Sequence, residues 1–223
     1  MTIGKDVGGL GDKDLLAEVS KNISQSLSIL AGAMQACADL MATQSGRTGA
    51  GDVVNLLGEV TARVAAVSLV HRHLSKNPGG GTVALDDYMR ALWEALVSSV
   101  VPSGKWEFSL VGTDTARLAV DQALSVGLIV TEIVTNALKY AHPTGVAGKL
   151  GLGCRRDDSG IAVIEVFDDG VGLPEGFDPA TDGGAGFRLI RALVRQLGAD
   201  LSCVSEPVGL SFTIAVRPRV PGP

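Results

Sequence analysis

Ile161-Ala162-Val163-Ile164-Glu165-Val166-Phe167-Asp168-Asp169-Gly170-Val171-Gly172 decides how this chain is read, because an apolar, strand-like run stops abruptly at Asp168 and gives way to two glycines in three residues. A carboxylate at a strand end can accept a hydrogen bond from an exocyclic amine such as that of adenine, and Gly170 and Gly172 let the backbone turn close to a flat base. Upstream, Glu132-Ile133-Val134-Thr135-Asn136-Ala137-Leu138-Lys139 has helical spacing. It sets Glu132 and Asn136 at i and i+4 on one face, with Leu128, Ile129, Ile133, Ala137 and Leu138 on the buried side. A carboxylate and a carboxamide one turn apart can hold a hydrated Mg²⁺, and Lys139 is placed to meet phosphate charge. Downstream, Gly183-Gly184-Ala185-Gly186 leads into the apolar helix Phe187 to Leu197, whose first amides are a natural seat for phosphate. Taken singly, these are a turn, a solvated helix face and a loop. Their order along the chain is what points to a nucleotide pocket.

These residues carry a resemblance. From about Thr82 to the C-terminus the chain resembles the ATP-binding domain shared by histidine kinases, gyrase-type ATPases, Hsp90 and MutL. Thr131 to Ala141 resembles the N box, Asp168 to Gly172 the D-x-G-x-G box, and Gly184-Ala185-Gly186 the following glycine box. Gly209-Leu210-Ser211-Phe212 is similar to the last box, G-T-x-F, with Leu210 in place of its threonine. The resemblance implies ATP and Mg²⁺ as cofactors, Asn136 on the metal, Asp168 reading adenine, and the glycine box at Gly184 and Gly186 touching phosphate. Glu132 is a candidate catalytic base and second metal ligand.

Composition narrows the class. With 223 residues and 46% hydrophobic content, the chain can bury one large core or two small ones. The net charge of −5 and scattered basic residues leave no electrostatic footprint for nucleic acid. The longest nearly apolar run, Ala123 to Val134, is short for a membrane span and is interrupted by Glu132, and no signal peptide opens the chain, so a cytoplasmic location is expected. Cys37, Cys154 and Cys203 lack the close pairs of a zinc site and read as reduced structural thiols.

The front third reads as helices. Leu16, Val19, Ile23, Leu27, Leu30, Met34, Cys37 and Met41 step by three and four, as do Val53, Leu57, Val60, Val64, Val67, His71 and Leu74, with Gln44 to Asp52 as the turn between them. An antiparallel hairpin with this apolar width predicts a homodimer paired through a four-helix bundle. Asn77-Pro78-Gly79-Gly80-Gly81 marks the linker. The expected organisation is therefore α+β: a helical-hairpin dimerisation domain over 1–76 and an α/β-sandwich ATP-binding domain over 82–217. In the second domain, Asp86 to Val100 reads as a capped helix and Asp121 as the cap of the helix carrying Glu132. Strands are expected at Trp106 to Val111, Leu118 to Val120, Leu150 to Arg155, Ile161 to Phe167, Leu201 to Val204 and Phe212 to Val216. Leu173 to Asp182 is expected to be a short lid.

Hairpin plus ATPase domain resembles the transmitter half of a sensor histidine kinase, of the type allied to the HWE kinases. Leu15 to Leu27 follows that group's frame L-L-x-E-V-H-H-R-V-K-N-N-L, and Arg63 to Leu74 resembles its R-V-x-A-I-A-L-V-H-x-x-L. Lys21 then occupies the phosphoacceptor position; a frame slid to match Lys21-Asn22 to the K-N pair puts Glu18 there instead. Neither alignment supplies a histidine. Thr131 and Val163 also replace a histidine and a tryptophan of true HWE kinases. Imidazole is a neutral nucleophile at neutral pH, whereas a lysine ammonium of pKa about 10.4 has no lone pair until it loses a proton. Self-phosphorylation at the usual site is therefore expected to be absent. His71 reads as a packed core residue, His73 as a helix-end cation, and His142 as a solvated helix end that could brush phosphate.

Three functions remain open from sequence. One is an ATP-binding two-component signalling protein that acts by nucleotide-dependent binding of a response regulator, a kinase or an anti-sigma pathway protein. Another is an active phosphotransferase using a non-standard acceptor or a partner Ser/Thr. A third is a dimer module whose pocket is empty. About 11 residues precede the hairpin, so the input signal is expected from another protein.

Overall fold

The computed structural model of the chain describes residues 61–66, 68–69, 82–100, 106–112 and 116–219. The first expected helix with Lys21 and Glu18, the turn at 44–52, the linker at 77–81, His71, His73 and Cys37 lie outside the described residues. A helical stretch at 61–66 and 68–69 comes first. It is followed by β1 (Thr82–Ala84), α1 (Leu85–Val100), β2 (Trp106–Gly112), β3 (Arg117–Ala119), α2 (Val120–Tyr140), β4 (Gly148–Arg156), β5 (Ala162–Asp168), α3 (Ala185–Leu197), β6 (Asp200–Glu206) and β7 (Gly209–Val216). Five strands form one mixed sheet in the order β2-β4-β5-β7-β6, with β2 parallel to β4 and the other neighbours antiparallel. This is the α+β sandwich that the sequence predicts.

Alternation in the strands decides which face is covered. Leu150, Leu152, Cys154, Ile164, Val166, Phe212, Ile214 and Val216 are buried on one face, while Lys149, Arg155 and Glu165 are exposed on the other. The covered face carries α2, a helix of 21 residues whose buried set includes Leu124, Leu128 and Ile129. Side chains of this size contribute roughly 1.5–3 kcal/mol each when fully buried. Among the described residues α2 is the one helix long and apolar enough to cross a membrane by length and composition, but 78% of its apolar window is buried inside the fold.

Strand ends agree with the sequence reading to within one to three residues. β1 was not expected: three residues are too few for a period, and it exists by pairing antiparallel with β3. Arg117 secures this pair by donating to the Thr82 hydroxyl and carbonyl at 2.9 and 3.1 Å.

Two helix starts differ from expectation. Ala119 holds the cap position of α2, without a side-chain cap, because β3 runs directly into the helix. Asp121 is the second residue of the helix, within its first turn, and pairs with Arg219 at 2.5 Å. Gln122 takes over the cap function: its Oε1 accepts the amides of Ala119 and Arg219 at 3.3 and 2.9 Å, and its Nε2 donates to the Arg217 carbonyl at 2.9 Å. Likewise α1 starts at Leu85, so Asp86 is a first-turn acid rather than a cap.

The helical stretch at 61–66 and 68–69 packs on the domain through a face other than the predicted apolar stripe. Ala62, Arg63 and Ala66 are buried, whereas Val64 of the stripe is 44% exposed. Small side chains let this stretch approach α1 and α2 closely, which the count of large apolar residues does not reveal.

Candidate functional site

The cleft is built between α2, the ends of β5 and β7, and the start of α3. Asp168 is the last residue of β5, and its register partner across the sheet is Leu210. Only 8% of Asp168 is exposed, and its Oδ1 accepts the Gly170 amide at 2.9 Å. Burial pushes its carboxyl above the usual aspartate range, opposed by the Gly170 bond and by His142 and reinforced by Asp169.

The two glycines that follow have distinct causes. A Cβ on Gly170 would lie 2.4 Å from that of Ala141, so only glycine lets the loop pass beneath the end of α2, where the Val171 amide bonds the Ala141 carbonyl at 2.9 Å. Gly172 has φ +70°, a left-handed conformation that side chains resist, and lies against the carbonyl of Glu206.

Asp169, next in sequence, faces other partners. Its Oδ1 meets His142 Nε2 at 2.8 Å and accepts the Lys149 amide at 2.7 Å. Burial works to raise its carboxyl pKa, but the Lys149 amide and His142 outweigh it, and the group ends below the usual value. The His142 ring packs edge-on against Trp106 at 5.3 Å. His142 is therefore neither a solvated helix end nor a phosphate contact: it ties the end of α2 to the sheet, because Gly148 leaves room for its ring.

On α2, Glu132 and Asn136 line the cleft one helical turn apart. Glu132 is 3% exposed, and both its oxygens are held by Arg63: Nε meets Oε1 at 2.5 Å and Nη2 meets Oε2 at 2.9 Å. This partner was missed by sequence reading, which followed the apolar positions around it. Asn136 is half-buried and Lys139 exposed. A Cβ on Gly186 would fall 2.9 Å from Glu132 Oε2 and 3.8 Å from the Asn136 carboxamide, so the first turn of α3 comes directly against this pair. Gly184 is the cap residue of α3, and no side chain caps its amides.

The cleft measures about 970 Å³, and Glu132, Asn136, Lys139, Asp168, Gly172, Gly184 and Gly186 all line it, with Arg63 and Leu210. Gly170, also expected there from sequence, is not among the lining residues and packs against Ala141 instead. Leu173, Pro174 and Phe177 of the expected lid also line it. That loop is braced: Arg191 of α3 donates to the carbonyls of Pro179 and Asp182 at 3.0 and 2.6 Å, and Phe177 packs on Phe187 with ring centres 5.3 Å apart. Cys154 and Cys203 are free thiols away from the cleft, and burial, with Asp86 nearby, pushes Cys154 up to about 12.

Residues 121–220 match the model of the histidine kinase-, DNA gyrase B- and HSP90-like ATPases, and residues 32–100 match a second model described as histidine kinase. The chain thus carries a histidine kinase-, gyrase- and HSP90-like ATPase domain behind a segment of histidine kinase type. It is 25% identical over 205 residues to blue-light-activated histidine kinase 2 of Erythrobacter litoralis, covering 90% of this chain and 56% of that protein. It is 29% identical over 162 residues to sensor histidine kinase PdtaS of Mycobacterium tuberculosis, covering 72% of this chain and 32% of that protein. The chain thus spans about half the length of the first relative and a third of the second. The solved histidine kinase domain of an Erythrobacter litoralis blue-light activated kinase shares its fold, with TM-score 0.68 and 22% identity, over 90% of this chain and 94% of that one.

Proposed function

We propose that this histidine-kinase-type chain binds Mg-ATP in the cleft and works as a two-component signalling protein through regulated binding of partners, without phosphorylating itself at the usual position. One observation supports this most: a buried carboxylate, Asp168, and a glycine-lined helix start, Gly184 to Gly186, line one and the same nucleotide-sized cleft. Asp168 would accept the adenine amine, with the backbone at Gly170 and Gly172 close to the base. The amides at Gly184 and Gly186 and the Lys139 ammonium would hold phosphate.

The donor set also suits magnesium. Among the described residues no group of three His, Cys, Asp or Glu side chains comes together, so a cation would take the Asn136 and Glu132 oxygens and draw its remaining ligands from phosphate and water, as Mg²⁺ does. When bound, Mg²⁺ neutralises phosphate charge and orients the terminal group. Asn136 would position that ion from a half-buried site, and Glu132, freed of Arg63, would be the candidate base.

The rest of the proposal concerns the hairpin. A domain over 1–76 pairs two copies through the predicted stripe, which the exposure of Val64 favours. A response regulator, a kinase or an anti-sigma pathway protein docks on it, in the cytoplasm. Lys21 at the acceptor position removes the nucleophile of the usual reaction.

A second reading is phosphotransfer, within a phosphorelay, to a partner Ser/Thr or a non-standard acceptor. Retention of Glu132, Asn136 and Asp168 around one cleft favours it. Incubation with γ-labelled ATP separates the two. The primary reading expects nucleotide binding with no label on the chain or on added regulators; label on either supports phosphotransfer instead.

A further inference from the structure

Arg63 lines the cleft although it belongs to the helical stretch ahead of the ATPase domain. Its fork and the Glu132 carboxylate form a bidentate pair with side chains 3% and 4% exposed. Two further contacts seat the stretch. Ala62 and Ala66 are fully buried. The Tyr88 hydroxyl donates to the Ala66 carbonyl at 3.2 Å, its ring filling space that a Cβ on Gly127 would occupy. Burial pushes the Tyr88 phenol well up, so the hydroxyl keeps its proton for this bond.

We propose that this docking is an autoinhibitory latch: Arg63 occupies Glu132 while the stretch is seated, and a magnesium nucleotide in the cleft competes with it. The proposal rests on the nucleotide reading above. A carboxylate with both oxygens in a guanidinium fork is poorly placed to ligate a cation or to accept a proton. A divalent ion beside Asn136, one helical turn away, also repels the guanidinium, and in a water-poor site that repulsion is weakly screened. Gly186 sits directly over Glu132 Oε2, so the nucleotide's phosphate end arrives where the pair is made.

Such competition is reciprocal. Filling the cleft loosens the helical stretch that carries Arg63, and releasing that stretch opens the cleft. Because the hairpin is the proposed partner surface, the latch would convert nucleotide state into partner access without any phosphoryl transfer.

The test uses the full chain, with Mg²⁺ and β,γ-imido-ATP as probe. Saturation should speed amide hydrogen exchange at residues 61–69 about fivefold or more, and Arg63→Gln should bind the probe about five- to 150-fold tighter, the range of ordinary coupling. Arg63→Lys, which keeps the charge but loses the fork, should shift affinity the same way by less, and it serves if Arg63→Gln does not fold. Unchanged or slower exchange at 61–69 in a chain that binds the probe overturns the latch alone; slower exchange would mean that Arg63 grips phosphate. Failure of the wild-type chain to bind the probe overturns the nucleotide reading and the latch together.

Discussion

The two buried carboxylates that line the cleft are held on opposite principles. At the end of β5, Asp168 makes one hydrogen bond to its own loop, and burial holds its carboxyl above the usual range. On α2, Glu132 is as buried but fully engaged by Arg63 from another part of the chain. A carboxylate paid for in desolvation and left without a cation is one kept for a ligand, whereas a carboxylate closed in a fork contributes to the protein's own stability until something displaces its partner. In the proposed reading the first carboxylate recognises the base and the second is gated.

Stability should separate the two carboxylates most sharply. Glu132→Ala strands a buried guanidinium and should cost about 3–5 kcal/mol in denaturant unfolding. Asp168→Asn should cost little, because ionised Asp168 is disfavoured in the folded state. The sign follows from its raised pKa: the penalty is absent below the unfolded pKa, appears as pH rises through the folded pKa, and persists at neutral pH. Equal losses in the two variants would erase the distinction drawn here.

A smaller effect concerns pH. If adenine donates to ionised Asp168, nucleotide affinity should fall as pH drops through the folded pKa of Asp168, starting above the pH at which an ordinary aspartate of pKa about 3.9 titrates. Calorimetric titrations across that window should show the decline. Constant affinity would place the base elsewhere.

The placement of Asp168 and its glycine turn was largely legible in sequence and the Arg63–Glu132 pair was not. Asp168, Gly170 and Gly172 are consecutive enough to read as one device, and the apolar run before them locates its strand. By contrast, Arg63 and Glu132 are 69 positions apart. The apolar pattern assigns the hairpin's inward face to Val60, Val64 and Val67, while the docked face is made of Ala62, Arg63 and Ala66. An arginine framed by alanines at helical spacing is the only local signal, and it names no partner. Asp121 and His142 failed for related reasons: Gln122 and Asp169, whose partners lie across the fold, decide what those residues do.

Titration calorimetry of Mg-ATP into the wild-type chain and Asp168→Asn tests the central claim most directly. The account predicts saturable binding at one site per chain, weakened roughly 10- to 150-fold by Asp168→Asn, as expected for loss of a hydrogen bond to a charged acceptor. Binding of equal strength in both proteins, or none in the wild type, would contradict it.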